Sequence, residues 1–471
     1  AQPKCITHSP RILTPDAAHG GGGGSDLALA GAPPTSPLSS LRRHHFQMPS
    51  FRRWQELPPE LLCRIGDSLD DLKCYVSARG ACTAWRLALA PPSPSLLVVP
   101  VDASFCPSAA SIPAHRAFEL KAIPRGAQFV GSTNGWLALT GYNYGERKFS
   151  LFNPVTAAKI VLPPLIYRSR WVSMSKLVFA PNPASDDFAA AAICDVGTLA
   201  YVTAGARRWA VLDPLRLAGG DHLVDLIYHE KGRVYCLTQH GDVHVLRLPE
   251  RRRRKPTFVD DPWSAPARPL LSVPAQSLSR AQLLQQLVRP RRFPPQPAEP
   301  DLNEPATVEP LLSEGNLPFD PATSFALPYN KLWAFTSAKN LVFCDGNLYQ
   351  IWRNVSCVVA VQLPGGGRHC VAENEVFVLR YYPDRKPCWD AVTDLGGYSV
   401  FVGRNNAVSM YAQGVPGLKG NCVYWIGGRG RDQGMVFDMA TGRSTPCLLP
   451  AVGSGAPKNT VCWYFLSNMV N

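Results

Sequence analysis

From Leu96 onward the chain consists of short runs rich in Val, Leu, Tyr, Phe and Trp, each broken within a few residues by Gly, Asn, Asp or Pro. Such runs are too short for core helices, and their residues suit a pleated, half-buried surface, so the punctuation predicts antiparallel β-structure. Helical periodicity largely disappears from this point. Several runs end alike: Lys159 to Pro163, Val243 to Pro249, Val358 to Pro364 and Thr445 to Pro450. A terminal Leu-Pro stops a strand because proline removes a ladder donor. Pro163 to Pro249 and Pro364 to Pro450 are each 86 residues apart, about two units of the roughly 40 to 50 residues of a propeller repeat. The segments Lys231-Gly232-Arg233-Val234-Tyr235 and Asp345-Gly346-Asn347-Leu348-Tyr349 have the turn-then-strand flavour of kelch-like blades. A degenerate β-propeller is the expectation, with a sandwich or another multi-sheet fold as its rival.

Upstream, residues 54–92 read differently. After Leu57-Pro58-Pro59, the apolar residues Leu61, Leu62, Ile65 and Leu69 fall on one helical stripe. Pro59 suits a first helical turn. Asp70 or Asp71 is placed to cap a second helix carrying Leu72 and Val76, and a third short helix carries Cys82, Trp85 and Leu89. Pro91, Pro92 and Pro94 end it. The fold class expected is therefore multidomain, three small helices followed by an all-β domain. Residues 1–50 are rich in Pro, Ser, Ala and Gly, and are expected to be disordered. The first methionine, Met48, directly precedes the patterned region and is a candidate start of translation. Residues 250–320 are rich in Pro, Arg and Gln and read as a long insertion, with a short amphipathic helix at 278–288, dividing the β-domain into 96–249 and 321–471.

The net charge of +13 raises the question of nucleic acid. Residues 1–53 carry six basic and two acidic residues, and residues 249–300 carry ten and four. The basic clusters thus lie in expected linkers, which favours solvated charge, with a nuclear-import signal at 251–255 as the alternative and specific nucleic-acid binding as the least favoured. No run of about 18 apolar residues is present, and the start of the sequence lacks the order of a secretory signal; a cytoplasmic or nuclear protein without a membrane partner is expected. The 14 cysteines include no CxxC pair. Neither GxSxG, GxxxxGK[ST] nor HExxH occurs. His240 and His244 flank Gly241-Asp242, which suggests a hairpin turn rather than one helix face. Gly427-Gly428-Arg429-Gly430 reads as a hairpin loop rather than an anion cradle. No catalytic residue, metal or cofactor is expected.

Leu57-Pro58-Pro59-Glu60-Leu61-Leu62, Ile65, Leu69, Asp71, Arg79, Cys82, Trp85 and Arg86 resemble the F-box in order and spacing. Ala78 and Ala81 depart from it, standing where plant F-boxes usually carry a bulky aromatic and a valine. Asn134-Gly135-Trp136-Leu137, Leu151-Phe152-Asn153-Pro154-Val155-Thr156, Val400-Phe401-Val402-Gly403-Arg404-Asn405 and Pro416-Gly417-Leu418-Lys419-Gly420-Asn421-Cys422-Val423-Tyr424-Trp425 resemble the plant F-box-associated domain of unknown function 295, a KIB-type β-propeller. The resemblance implies a substrate adaptor of a ubiquitin ligase. Leu57, Pro58, Leu61, Ile65, Leu69, Val76, Cys82 and Trp85 would dock on a Skp-type adaptor and through it on cullin and RING subunits, while the β-domain binds a target protein. The alternatives are a propeller scaffold with a degenerate F-box and, less favoured, a propeller enzyme. Read from the residues alone, the same apolar positions equally suit an internal core shared with the β-domain. Trp171, Trp209, Trp389 and Trp425 belong either to the core or to a binding face.

Overall fold

A computed structural model describes residues 57–100, 106–124, 126–143, 146–167, 170–171, 174–194, 198–212, 221–248, 307–311, 319–355, 357–362, 366–427, 433–447 and 458–466. The low-complexity start, the basic run 251–255, the stretch 278–288, and residues 428–430 lie outside them.

Three helices come first. Helix α1, Pro59–Asp67, has Pro59 at its first position, where a missing N–H costs nothing. Helix α2, Leu72–Gly80, is capped by Asp71, whose carboxylate accepts from Lys73 N at 2.7 Å and Cys74 N at 3.2 Å. Helix α3, Thr83–Ala88, follows with Cys82 in the extended N-cap position.

Among the described residues the strands then form eight sheets, two of them two-stranded hairpins and the other six the blades of a β-propeller. Blade 1 contains Ser95–Pro100, Ser108–Ser111 and Arg116–Glu119, and its innermost strand is Lys458–Tyr464 from the other end of the chain. That strand closes the ring. Blade 2 runs from Gln128–Thr133 inside to Lys159–Leu162 outside, blade 3 from Met174–Phe179 to Ala210–Val211, and blade 4 from Leu223–His229 to Thr307–Pro310. Blade 5 is ordered Ala338–Cys344, Asn347–Arg353, Val376–Tyr381, Trp389–Ala391. Blade 6 has five strands, with Val408–Tyr411 at one edge and Tyr398–Phe401 lying parallel to Cys422–Gly427.

The apolar runs are accounted for between the blades, where side chains of neighbouring sheets interlock. One cluster joins blades 2 and 3 through Leu151, Leu162, Leu177 and Phe179; another joins blades 3 and 4 through Val178, Ile193, Leu226 and Val234. Blades 4 to 6 share the largest, around Phe325, Trp352 and Trp389. Blades 6 and 1 meet through Phe401, Tyr424 and Trp463, the Phe401 and Tyr424 rings stacked at 4.5 Å.

Two readings of the sequence need correction. The stretch 250–320 holds a strand after all: Thr307–Pro310 pairs with Val243–Arg247 as the outer strand of blade 4. It is four residues long and mostly exposed, and so lacks an alternating pattern. The 86-residue spacing does not connect equivalent strands. Lys159–Leu162 is the outermost strand of its blade, Val243–Arg247 is the third of four, and Val359–Gln362 belongs to a separate hairpin with Arg368–Val371, inserted within blade 5. A Leu-Pro ending marks where a strand stops, not which strand it is.

Candidate functional site

The helices sit on blade 1. Leu62, Leu72, Tyr75, Trp85 and Leu89 are buried in one cluster with Leu97, Ala109 and Phe118 of blade 1 and with Phe129 and Leu137 of blade 2. Arg116, on the outer strand of blade 1, fixes the end of α1. Its guanidinium donates to Gly66 O at 2.7 Å, Leu69 O at 3.1 Å and Asp70 Oδ1 at 3.1 Å, supplying positive charge where the helix leaves carbonyls unpaired. Glu119 N donates to Asp70 O, and Tyr75 Oη to Ala90 O. The module is thus seated on the propeller by both core and polar contacts.

This divides the eight expected docking residues. Trp85 is 9% exposed and faces the internal core. Leu57, Ile65, Leu69, Val76 and Cys82 are half-buried and pack against the same cluster. Pro58 and Leu61 are exposed. Leu62, one residue from Leu61, faces inward at 1%. Leu87, which the sequence reading did not single out, is 82% exposed on α3, beside a helix contact in which Cys63 donates to Ala88 O. Among the described residues of this module, Leu61 and Leu87 are therefore the large apolar side chains left in water.

A second site lies where the innermost strands converge. Four of these strands carry a β-bulge, with Val130, Ser175, Val224 and Val461 as the extra residues in blades 2, 3, 4 and 1. The residue following the bulge is Gly131, Lys176 or Asp225 in blades 2, 3 and 4. A Cβ on Gly131 would stand 2.0 Å from Leu177 O, so only glycine lets blades 2 and 3 approach this closely. Lys176 and Asp225 are buried and paired at 2.5 Å. Lys176 Nζ also donates to Gly403 O at 2.8 Å, and Leu341 N of blade 5 donates to the second Asp225 oxygen at 2.8 Å. One ion pair thus links blades 3, 4, 5 and 6. An innermost strand has one unpaired edge, and these side chains satisfy it.

The loop between Phe401 and Val408 completes the arrangement. Asn406 accepts from Tyr228 N at 2.7 Å and donates to Tyr228 O at 3.1 Å through its side-chain amide, while its own N–H donates to Ser132 O at 2.8 Å. One residue of blade 6 thereby holds the inner edges of blades 4 and 2. Replacing Asn406 with alanine removes two bonds to a backbone pair and is expected to cost about 2 kcal/mol, since each of the two orphaned groups, on half-buried Tyr228, sits at the low end of about 1–3 kcal/mol. Asn406→Asp is expected to be no better, because a carboxylate still accepts from Tyr228 N but sets negative charge against Tyr228 O. Denaturant midpoints of the two variants check this.

Ser175, Lys176, Val224, Asp225, Asn340 and Arg404 line a cavity of about 270 Å³ among these strands. Lys339, next to Asn340, is 2% exposed and donates to Trp333 O and Thr336 O. Burial pushes its amine down to about 7, with Asp221 opposing the shift. The unfolded chain then keeps this proton up to about pH 10, so between pH 7 and 10 it binds more protons than the folded one. The contribution of Lys339 to stability is expected to rise with pH across that window, so the unfolding midpoint of the parent should change more positively with pH than that of Lys339→Met.

The other sequence candidates are structural. His240 and His244 belong to a hairpin in which Gly241 has φ +94°, and they lie 3.2 Å from Asp221 and 3.1 Å from Asp242 respectively, each beside its own carboxylate. No group of three or more His, Cys, Asp or Glu with metal-binding geometry occurs among the described residues. Trp209, Trp389 and Trp425 are buried in the core, and the Trp171 side chain lies outside the described residues. Asn421, from the Gly420-Asn421 turn, accepts from Leu395 N and Gly397 N. Lys176 and Asp225 escaped the sequence reading, although each is a lone charge inside an otherwise apolar strand, a pattern that signals a buried pair.

Residues 108–448, most of the chain, match the sequence model of the KIB1-4 β-propeller family. The chain belongs to the KIB1-4 β-propeller family. The matched range leaves out the closing strand Lys458–Tyr464 of this KIB1-4 propeller and its first strand, Ser95–Pro100. No curated protein matches it. Among solved structures, PorZ of Porphyromonas gingivalis, an essential bacterial surface component of the type-IX secretion system, is similar at 9% identity and a TM-score of 0.26, with 75% of this chain and 36% of PorZ covered. A puromycin-hydrolyzing peptidase of Mycobacterium tuberculosis is similar at 10% identity and a TM-score of 0.24, with 78% and 57% covered. This KIB1-4 member thus spans about a third and somewhat over half of those two chains.

Proposed function

We propose that this chain is the substrate-recognition adaptor of a Skp/cullin/F-box ubiquitin ligase, with α1 to α3 as the F-box and the propeller as the target-binding domain. The observation that carries the reading is the module itself. Its F-box-like sequence forms three helices whose inner face is committed to blade 1, while Leu61 and Leu87 stay in water at 44% and 82% exposure. Exposed large apolar side chains on a rigid support are the usual anchors of an interface. A β-propeller suits an interaction scaffold, and here it would hold the target near the ubiquitin-charged enzyme. The chain itself is then non-catalytic, since proximity is supplied by the assembly. Work in the cytoplasm or nucleus follows from that role.

The test is binding of the full chain to purified Skp-type adaptor, with Leu61→Arg and Leu87→Arg beside the parent. Both substitutions are at exposed positions and are expected to leave the fold intact. Loss of binding in the two variants, with unchanged unfolding midpoints, is expected. A parent that does not bind removes the ligase reading and leaves a propeller scaffold with a degenerate F-box, to which Ala78 and Ala81 would then point.

A further inference from the structure

The cavity among the innermost strands has walls from five of the six blades: Ser175 and Lys176 from blade 3, Val224 and Asp225 from blade 4, Asn340 from blade 5, Arg404 from blade 6 and Val461 from blade 1. Its chemistry is unbalanced. Asp225, the acidic residue in the wall, is saturated, one oxygen holding Lys176 Nζ and the other Leu341 N. It has no charge left for a cation. Lys176 uses two of its three donors on Asp225 and Gly403 O. Arg404, an exposed residue of the lining, adds a further positive charge, and no hydrogen bond or ion pair engages its guanidinium among the described residues. The side-chain amide of Asn340 is likewise without a partner among the described residues. The wall therefore holds a net charge of +1 and two sets of unused donors around a space of about 270 Å³, enough for a small group.

We infer that this cavity binds a small oxyanion, a carboxylate or a phosphate group, with Arg404 as the charged fork and Asn340 as the second donor. A guanidinium grips such groups through two parallel N–H bonds, which a neutral side chain cannot reproduce. The inference rests on the propeller alone and is independent of adaptor docking. The anion reaches the site either free in solution or as an acidic side chain of a bound protein, and the two sources are separable.

Calorimetric titration of the full chain with inorganic phosphate, and separately with a blocked Gly-Asp-Gly tripeptide at matched ionic strength, tests it. Saturable binding at one site is expected with at least one probe, weakened about tenfold or more in Arg404→Gln and unchanged in Arg443→Gln, an exposed arginine on the outer strand of blade 6. Binding of phosphate alone assigns the site to a free anion, and binding of the peptide assigns it to an acidic side chain. No saturable heat with either probe overturns the inference. So does equal affinity in Arg404→Gln and the parent.

Discussion

Asp225→Ala is expected to destabilise the chain by about 3–5 kcal/mol, the cost of leaving a buried charge without its partner. Lys176 would remain at 5% exposure with only Gly403 O as an acceptor, and Leu341 N would lose its bond. The loss spreads because the pair spans four blades, so unfolding should keep a single transition at a lower midpoint. Asp225→Asn keeps an acceptor for Leu341 N and should fall between the parent and the alanine variant. Lys176→Met with Asp225→Leu removes both charges and leaves only neutral groups unpaired; it should lose less than Asp225→Ala. Urea midpoints followed by tryptophan fluorescence give the order. An Asp225→Ala midpoint indistinguishable from the parent would mean that the pair does not hold the inner strands together.

Trp85→Ala is the second large effect, about 3–5 kcal/mol, as for other buried aromatic residues cut to alanine. Trp85 packs with Leu62, Leu72, Tyr75 and Leu89 against blade 1, where Tyr75 and Phe118 also meet at 4.5 Å between ring centroids. The cavity opens at the seat of the helices, so α1 to α3 should become sensitive to protease well before the blades do. Any loss of adaptor binding in this variant then reports a loosened module. Leu87→Arg is the matching probe of the surface, expected to change stability by no more than about 0.5 kcal/mol. Equal proteolysis of the Trp85→Ala and parent helices would contradict the assigned packing.

The contrast between these two residues shows what the sequence could reveal. The stripe of Leu61, Leu62, Ile65 and Leu69 announces a helix because its period is local. Which of Leu61 and Leu62 turns inward depends on where blade 1 lies, and adjacent helical positions are only about 100° apart. Asp71 was readable as a cap for the same local reason. Strand punctuation disclosed the β-class, but not the pairing. Lys458–Tyr464 belongs beside Ser95–Pro100 at the far end of the chain, and ring closure leaves no local mark. Thr307–Pro310 was invisible because an exposed outer strand needs no apolar face. The axial site was the least legible. Asn406 looks like an ordinary loop asparagine until Tyr228 and Ser132 are brought against it from blades 4 and 2.

The docking role of the helices is tested most directly by hydrogen–deuterium exchange of the full chain with and without saturating Skp-type adaptor. Protection should concentrate in residues 57–66 and 83–88, around Leu61 and Leu87, with exchange in the six blades unchanged. Protection confined to the blades, or none at all, would contradict the account.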